Sequence, residues 1–130
     1  MREKPLILVV DDEPNLLEIM SANLAQSGFD AVVATNAEEA IDAARKLMPD
    51  LILMDIHMPG ATGTDAALEI KQDPTVKNIK IAFLSNLQDP WPQTSSSREE
   101  LSKELGMEDF LDKTADWQVN LAKIKEILAR

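Results

Sequence analysis

A chain of 130 residues, 45% of them hydrophobic, is long enough for one domain with a proper core. No apolar run approaches the ~18 residues of a transmembrane helix, and the absence of cysteine leaves no disulfide or thiolate metal chemistry. The 13 basic and 23 acidic residues give a net charge of −10, which argues against direct nucleic-acid binding, a contact that uses clustered Lys and Arg. The N-terminus, MREKPLILVVDDEP, meets acids too soon and lacks the cleavage site of a signal peptide. These features fit a cytoplasmic protein that neither spans nor sits on a membrane.

LILVV (6–10) is a continuous apolar strand. PNLLEIMSANLAQSG (14–28) reads as a helix: Pro14 suits its first turn, Leu16, Leu17, Met20 and Leu24 share a face, and Gly28 ends it. AVVAT (31–35) is a second short strand. In NAEEAIDAARKLM (36–48), Asn36 caps a second helix with Glu39 three residues on, and Ala37, Ala40, Ile41, Ala44 and Met48 form its stripe. LILM (51–54) is the third strand; the turn-rich HMPGATG (57–63) leads into the helix TDAALEIKQD (64–73). IKIAFLS (79–85) is the fourth strand, and EDFLD (108–112) is a weaker fifth. Between them, NLQDPWPQTSSSREELSKELG (86–106) starts as a loop, and Ser97 with Glu100 is a capping-box pair that opens a short helix. Asp116 caps a last helix with Leu121, Ile124 and Leu128 facing inward.

Strands that are apolar throughout are covered on both faces, as in a parallel sheet flanked by helices. Five such βα units predict a single α/β domain over residues 1–130: a doubly wound, flavodoxin-like (βα)5 fold with strand order 2-1-3-4-5. Ligand sites in these folds lie beyond the carboxyl ends of the strands, where strand order reverses. Asp11 and Asp12 end the first strand and Asp55 ends the third, so three acids ring one crevice. Any one of them alone is an ordinary solvated loop residue. Two unit charges ~4 Å apart repel by roughly 4 kcal/mol at an effective dielectric of 20, so three together call for a cation or raised pKa values. Oxygen ligands with room for water suit Mg²⁺. Ser85 ends the fourth strand and Lys113 follows the fifth. A carboxylate nucleophile, a divalent ion, a hydroxyl and an ammonium make a phosphoryl-transfer set.

VVDDEP, LILMDIHMPG with Gly63, AFLS and DFLDK, in this order, resemble the receiver domain of two-component response regulators. The resemblance covers essentially the whole chain. It implies that Asp55 accepts a phosphoryl group from the phosphohistidine of a histidine kinase or phosphotransfer protein. It implies further that Asp12 and Asp55 bind Mg²⁺ directly, that Asp11 acts through water, and that the backbone carbonyl of His57 is another ligand. Ser85 and Lys113 would hold the phosphoryl oxygens. Phe110 matches the switch aromatic that rotates inward as the serine moves, although plain core packing explains a strand-five phenylalanine equally well.

The chain departs from the family at two positions. Thr114 follows Lys113 where the family typically has proline, often after a cis bond, and Asn86 follows Ser85 where a small residue is usual. By the same resemblance, His57 stands at a position that in the family tunes loss of the phosphoryl group; the alternative is an exposed loop histidine without consequence. Trp91, between two prolines, is a partner anchor or is tucked against the domain. A receiver-like interaction module that takes no phosphate is the competing reading. An aspartate-based hydrolase of the haloacid dehalogenase type needs a second Asp where His57 stands, and a nucleotide-binding Rossmann domain needs a Gly-rich loop after the first strand. The expected output is a protein partner on the face of the fourth helix, fifth strand and fifth helix of the family fold. With no output domain before residue 130, the expectation is a stand-alone receiver or an isolated part of a longer protein.

Overall fold

The computed structural model describes residues 3–56, 58, 63–85 and 109–130, with 109 and 110 described for their backbone alone. The sheet is built from β1 (Leu6–Val10), β2 (Asp30–Ala34), β3 (Leu51–Asp55), β4 (Lys80–Ser85) and β5 (Asp109–Asp112). All neighbouring pairs are parallel, in the order β2-β1-β3-β4-β5. The helices are α1 (Pro14–Gln26), α2 (Ala37–Leu47), α3 (Gly63–Gln72) and α4 (Trp117–Ala129). The expected doubly wound architecture and strand order are those observed. The irregular stretch 86–106, with Trp91 and the Ser97–Glu100 pair, lies outside the described residues.

Burial explains why the strands read as they do. Residues 7–10, all of β3, and β4 from Ile81 onward are buried, because each has a strand on both sides and helices on both faces. β2 is an edge strand, which leaves Asp30 and Val33 exposed. Alternate residues feed two cores. Leu8, Val10, Ile52, Met54, Ile81 and Phe83 pack toward α2 and α3. Ile7, Val9, Leu51, Leu53, Ala82 and Leu84 pack toward α1 and α4. Replacing a fully buried leucine such as Leu53 by alanine costs about 2–5 kcal/mol in such surroundings.

The helix ends hold some surprises. α1 starts at Pro14, whose missing N–H is no loss in a first turn. It stops at Gln26 with Ser27 as its cap, and Gly28 follows at φ 94, a conformation that favours glycine. Asn36 caps α2 through the Glu39 N–H at 2.8 Å. The Glu39 carboxylate reaches back to the N–H and hydroxyl of Thr35, one residue earlier than a capping box requires. Those bonds hold the Glu39 carboxyl below its usual pKa.

Met48, expected on the inward stripe, adopts left-handed φ/ψ at the end of α2 and is 46% exposed. The turn to αL carries its side chain off the helix face. Asp116 occupies the N-cap position of α4 but its side chain makes no cap bond. The inward face of α4 carries Asn120, Ile124 and Ile127 as its buried residues, with Leu121 and Leu128 half-buried against the core. Lys80, at the start of β4, donates to the carbonyls of Ile127 and Arg130 at 2.9 and 2.8 Å and so caps the C-terminal end of α4.

Candidate phosphoryl-acceptor site

The carboxyl ends of β1, β3, β4 and β5 bring the sequence candidates together. Asp11 follows Val10 directly. Its N–H donates to the Ala34 carbonyl at 3.1 Å, which continues the β1–β2 ladder by one residue. Its Oδ1 accepts the Glu13 N–H at 2.9 Å, an Asx turn that fixes the carboxylate as the chain swings into α1. Asp11 is fully buried, whereas Asp12 is exposed. Asp55 is the last residue of β3, paired in register with Leu84, and is 2% exposed. A carboxylate held on a central strand has little freedom to move. Oxygens of Asp11, Asp12 and Asp55 all lie within 4.8 Å of one another.

Lys113 meets this cluster from the other side. Its Nζ lies 2.7 Å from Asp11 Oδ2 and 3.0 Å from Asp55 Oδ1. Its side chain is only 12% exposed. Burial opposes the charged ammonium, but the hydrogen bonds and charges of Asp11 and Asp55 outweigh it, so the Lys113 pKa stands above the ordinary 10.5. Lys113 reaches this position because β5 pairs with β4 up to Ser85 and Asp112, and its own N–H then donates to the Ser85 carbonyl at 2.9 Å. Ser85 ends β4 and is 2% exposed. The Lys113–Thr114 bond is trans, as are all peptide bonds among the described residues.

Gly63, the first residue of α3, rests on the backbone that carries Asp55. Its N–H donates to the Ile56 carbonyl at 3.1 Å. A Cβ there would overlap the Asp55 carbonyl oxygen and stand 2.7 Å from the Asp55 carbonyl carbon. The glycine in the motif is thus required by close approach of α3 to the end of β3. His57 and Asn86 lie outside the described residues. Phe110 pairs with Phe83 in the β4–β5 register, and its side chain lies outside them as well.

Two residues near Lys113 were not singled out in the sequence. Asp112 Oδ1 accepts the N–H and hydroxyl of Thr114 at 2.9 and 2.7 Å. Asn120, 5% exposed, donates from Nδ2 to the Asp112 carbonyl at 2.8 Å. The available signals were the Asp-x-Thr spacing of an Asx turn and a polar residue on the apolar stripe of α4.

The three carboxylates and one ammonium, all ionised, carry a net charge of −2 (three negative against one positive). An all-oxygen set of that charge, with Asp12 open to solvent, fits a hard divalent cation that keeps some of its waters, as Mg²⁺ does. A separate open hollow on α2 and α3, lined by Ala37, Ile41, Glu38, Asp42, Arg45 and Glu69 among others, shares no residue with this crevice.

Comparison with known proteins agrees with the geometry. The chain is 32% identical over 128 residues to the alkaline phosphatase synthesis transcriptional regulatory protein PhoP of Bacillus subtilis, covering 95% of this chain and 48% of that protein. It is 32% identical over 130 residues to the DNA-binding response regulator MtrA of Mycolicibacterium smegmatis, covering all of this chain and 49% of the relative. The chain therefore spans about half the length of these curated relatives. The crystal structure of a putative response regulator from Chloroflexus aurantiacus superposes with a TM-score of 0.86 at 28% identity, covering 98% of this chain and all of that one. The model of the response regulator receiver domain matches residues 7–125, and the chain belongs to that family.

Proposed function

We propose that Asp55 accepts a phosphoryl group from the phosphohistidine of a histidine kinase or phosphotransfer protein, in a Mg²⁺-dependent reaction that switches a protein-interaction surface. The observation that carries this reading is the convergence of Lys113 on Asp11 and Asp55 beside the exposed Asp12. An Asp55 carboxylate oxygen attacks phosphorus, the P–N bond to the donor imidazole breaks, and the departing ring keeps the electron pair and takes up a proton. The product is an acyl phosphate. Lys113 leaves part of its pairing with Asp55 to neutralise a phosphoryl oxygen, and the Ser85 hydroxyl donates a hydrogen bond to another. Asp12 and Asp55, with Asp11 through water and the His57 carbonyl, would hold Mg²⁺, which when bound neutralises charge on the phosphoryl oxygens.

The competing reading, a module that takes no phosphate, drew on Thr114 and Asn86. With Thr114 in place and a trans bond, Lys113 still reaches both acids, which supports a competent site. The domain acts on a protein partner through the surface around β5 and α4. Relatives of twice the length are named for DNA binding or transcriptional regulation. A net charge of −10 makes this domain the regulatory part of any such activity rather than its DNA contact.

Intact-protein mass spectrometry after incubation with acetyl phosphate and Mg²⁺ tests the reading. One phosphoryl mass should appear, should depend on Mg²⁺, and should be absent from Asp55→Asn protein. A stable adduct on Asp55→Asn protein would sink the assignment.

A further inference from the structure

Lys113 stands in a loop whose following residue is threonine, and the backbone on either side of it is pinned by side chains. On the near side, its N–H is bonded to the Ser85 carbonyl. The carbonyl of Asp112, in the peptide unit that leads into Lys113, accepts Asn120 Nδ2 at 2.8 Å and the Ala115 N–H at 3.2 Å. On the far side, the Asp112 carboxylate draws the Thr114 N–H and hydroxyl back over the lysine. Asp112 therefore works in two directions: its carbonyl is tied to α4, and its carboxylate closes the turn. Asn120 is the one buried polar residue of α4 among the described residues. Neither Asp112, Thr114 nor Asn120 makes a bond to Asp11, Asp12 or Asp55 among these contacts, so their effect on the acids passes through Lys113.

We propose that Asp112, Thr114 and Asn120 form a positioning clamp that aims the Lys113 ammonium at the phosphoryl-acceptor crevice. The inference rests on the reading of Asp55 as phosphoacceptor for its functional consequence, though not for the clamp itself. The clamp does what a rigid ring at position 114 would do by restricting φ: it limits the backbone angles open to the lysine. A hydrogen-bonded turn achieves this with a trans bond. The Thr114 N–H is part of the device, and a proline at this position would remove it. The clamp also ties the lysine loop to α4 through Asn120, so a shift of Lys113 toward a phosphoryl group would be felt at the first turns of that helix.

The test compares wild-type protein with Asp112→Ala, Thr114→Ser and Asn120→Ala. Three quantities are read: amine labelling of Lys113 by an acylating reagent, mapped by mass spectrometry without Mg²⁺; the dissociation constant for Mg²⁺; and the rate of phosphorylation by acetyl phosphate. Asp112→Ala, which removes the acceptor of both Thr114 donors, and Asn120→Ala should raise Lys113 labelling severalfold and slow phosphorylation by roughly 10-fold to 100-fold, the scale of a misplaced catalytic group. The Mg²⁺ constant should stay within about twofold. Thr114→Ser keeps both donors and should behave as wild type. Unchanged Lys113 labelling in both Asp112→Ala and Asn120→Ala overturns the clamp. So does a defect in which Mg²⁺ affinity falls in step with phosphorylation, since that marks general loss of structure. If wild-type protein takes no phosphoryl group, the phosphoacceptor reading fails, while the labelling data still decide whether the clamp aims Lys113.

Discussion

Replacing Lys113 by methionine keeps most of the side chain's length and removes its charge. The ammonium lies 2.7 Å from Asp11 Oδ2 and 3.0 Å from Asp55 Oδ1. At an effective dielectric of about 20 those distances give gross attractions of roughly 6 and 5.5 kcal/mol. The same arithmetic gives a repulsion of at least about 3.5 kcal/mol between carboxylates within 4.8 Å. Desolvation of the buried ions returns several kcal/mol of the gain, so the cost of removing one partner settles at about 3–5 kcal/mol. For a domain whose whole stability is about 5–15 kcal/mol, that is a large loss. Urea denaturation at pH 7 without Mg²⁺ should therefore show a much lower midpoint with an unchanged slope. Because the folded Lys113 pKa lies above 10.5, this stabilisation is present in full below pH 10.5 and is lost as pH rises through the folded value. The gap between the two proteins should be flat from neutral pH up to about 10 on that account. Mg²⁺ supplies a replacement cation, so a tenfold tighter site in Lys113→Met protein would close the gap by about 1.4 kcal/mol at saturation. A loss below about 1 kcal/mol without metal, the size of an exposed pair, or a gap that widens with Mg²⁺, would refute the reasoning.

Gly63→Ala should destabilise the protein by about 1–3 kcal/mol, despite the better helix propensity of alanine, because the new Cβ meets the Asp55 carbonyl; it should also slow phosphoryl uptake, and a variant as stable as wild type would show that the approach is not tight. Asp73 should titrate at about 2 by NMR, held down by the N–H and hydroxyl of Thr75 and then by Arg45. Its contribution to stability is present above pH 3.8 and is lost as pH falls through about 2, and Thr75→Ala should move the midpoint upward. Mg²⁺ should raise the melting temperature of wild-type protein, and Asp12→Asn should remove most of that rise; equal shifts in the two proteins would take Asp12 out of the metal site.

The sheet was legible because β1, β3 before Asp55, and β4 between Lys80 and Ser85 are apolar at every position, a pattern that a strand buried on both faces needs. Topology then followed from the βα alternation, and with it the meeting of Asp11, Asp12 and Asp55. The details that were not legible depend on contacts across the fold. Met48 carries a helical spacing, yet the αL turn at that residue swings it outward. Asp116 stands where a capping residue belongs, but the turn before α4 is held by Asp112 instead, whose carbonyl takes the Ala115 N–H. The double pairing of Lys113 needed the three-dimensional register of β4 and β5. So did the demand for glycine at position 63, which only the seating of α3 on Asp55 makes plain.

The central claim is that Asp55 becomes an acyl phosphate, and borohydride trapping addresses it most directly. Protein treated with acetyl phosphate and Mg²⁺ is reduced with borohydride, which converts an aspartyl phosphate to homoserine, and peptides are then mapped by mass spectrometry. Homoserine should appear at position 55 and at no other aspartate, and only when Mg²⁺ was present. Homoserine at Asp11 or Asp12, or a phosphoryl group recovered on Ser85, would contradict the account.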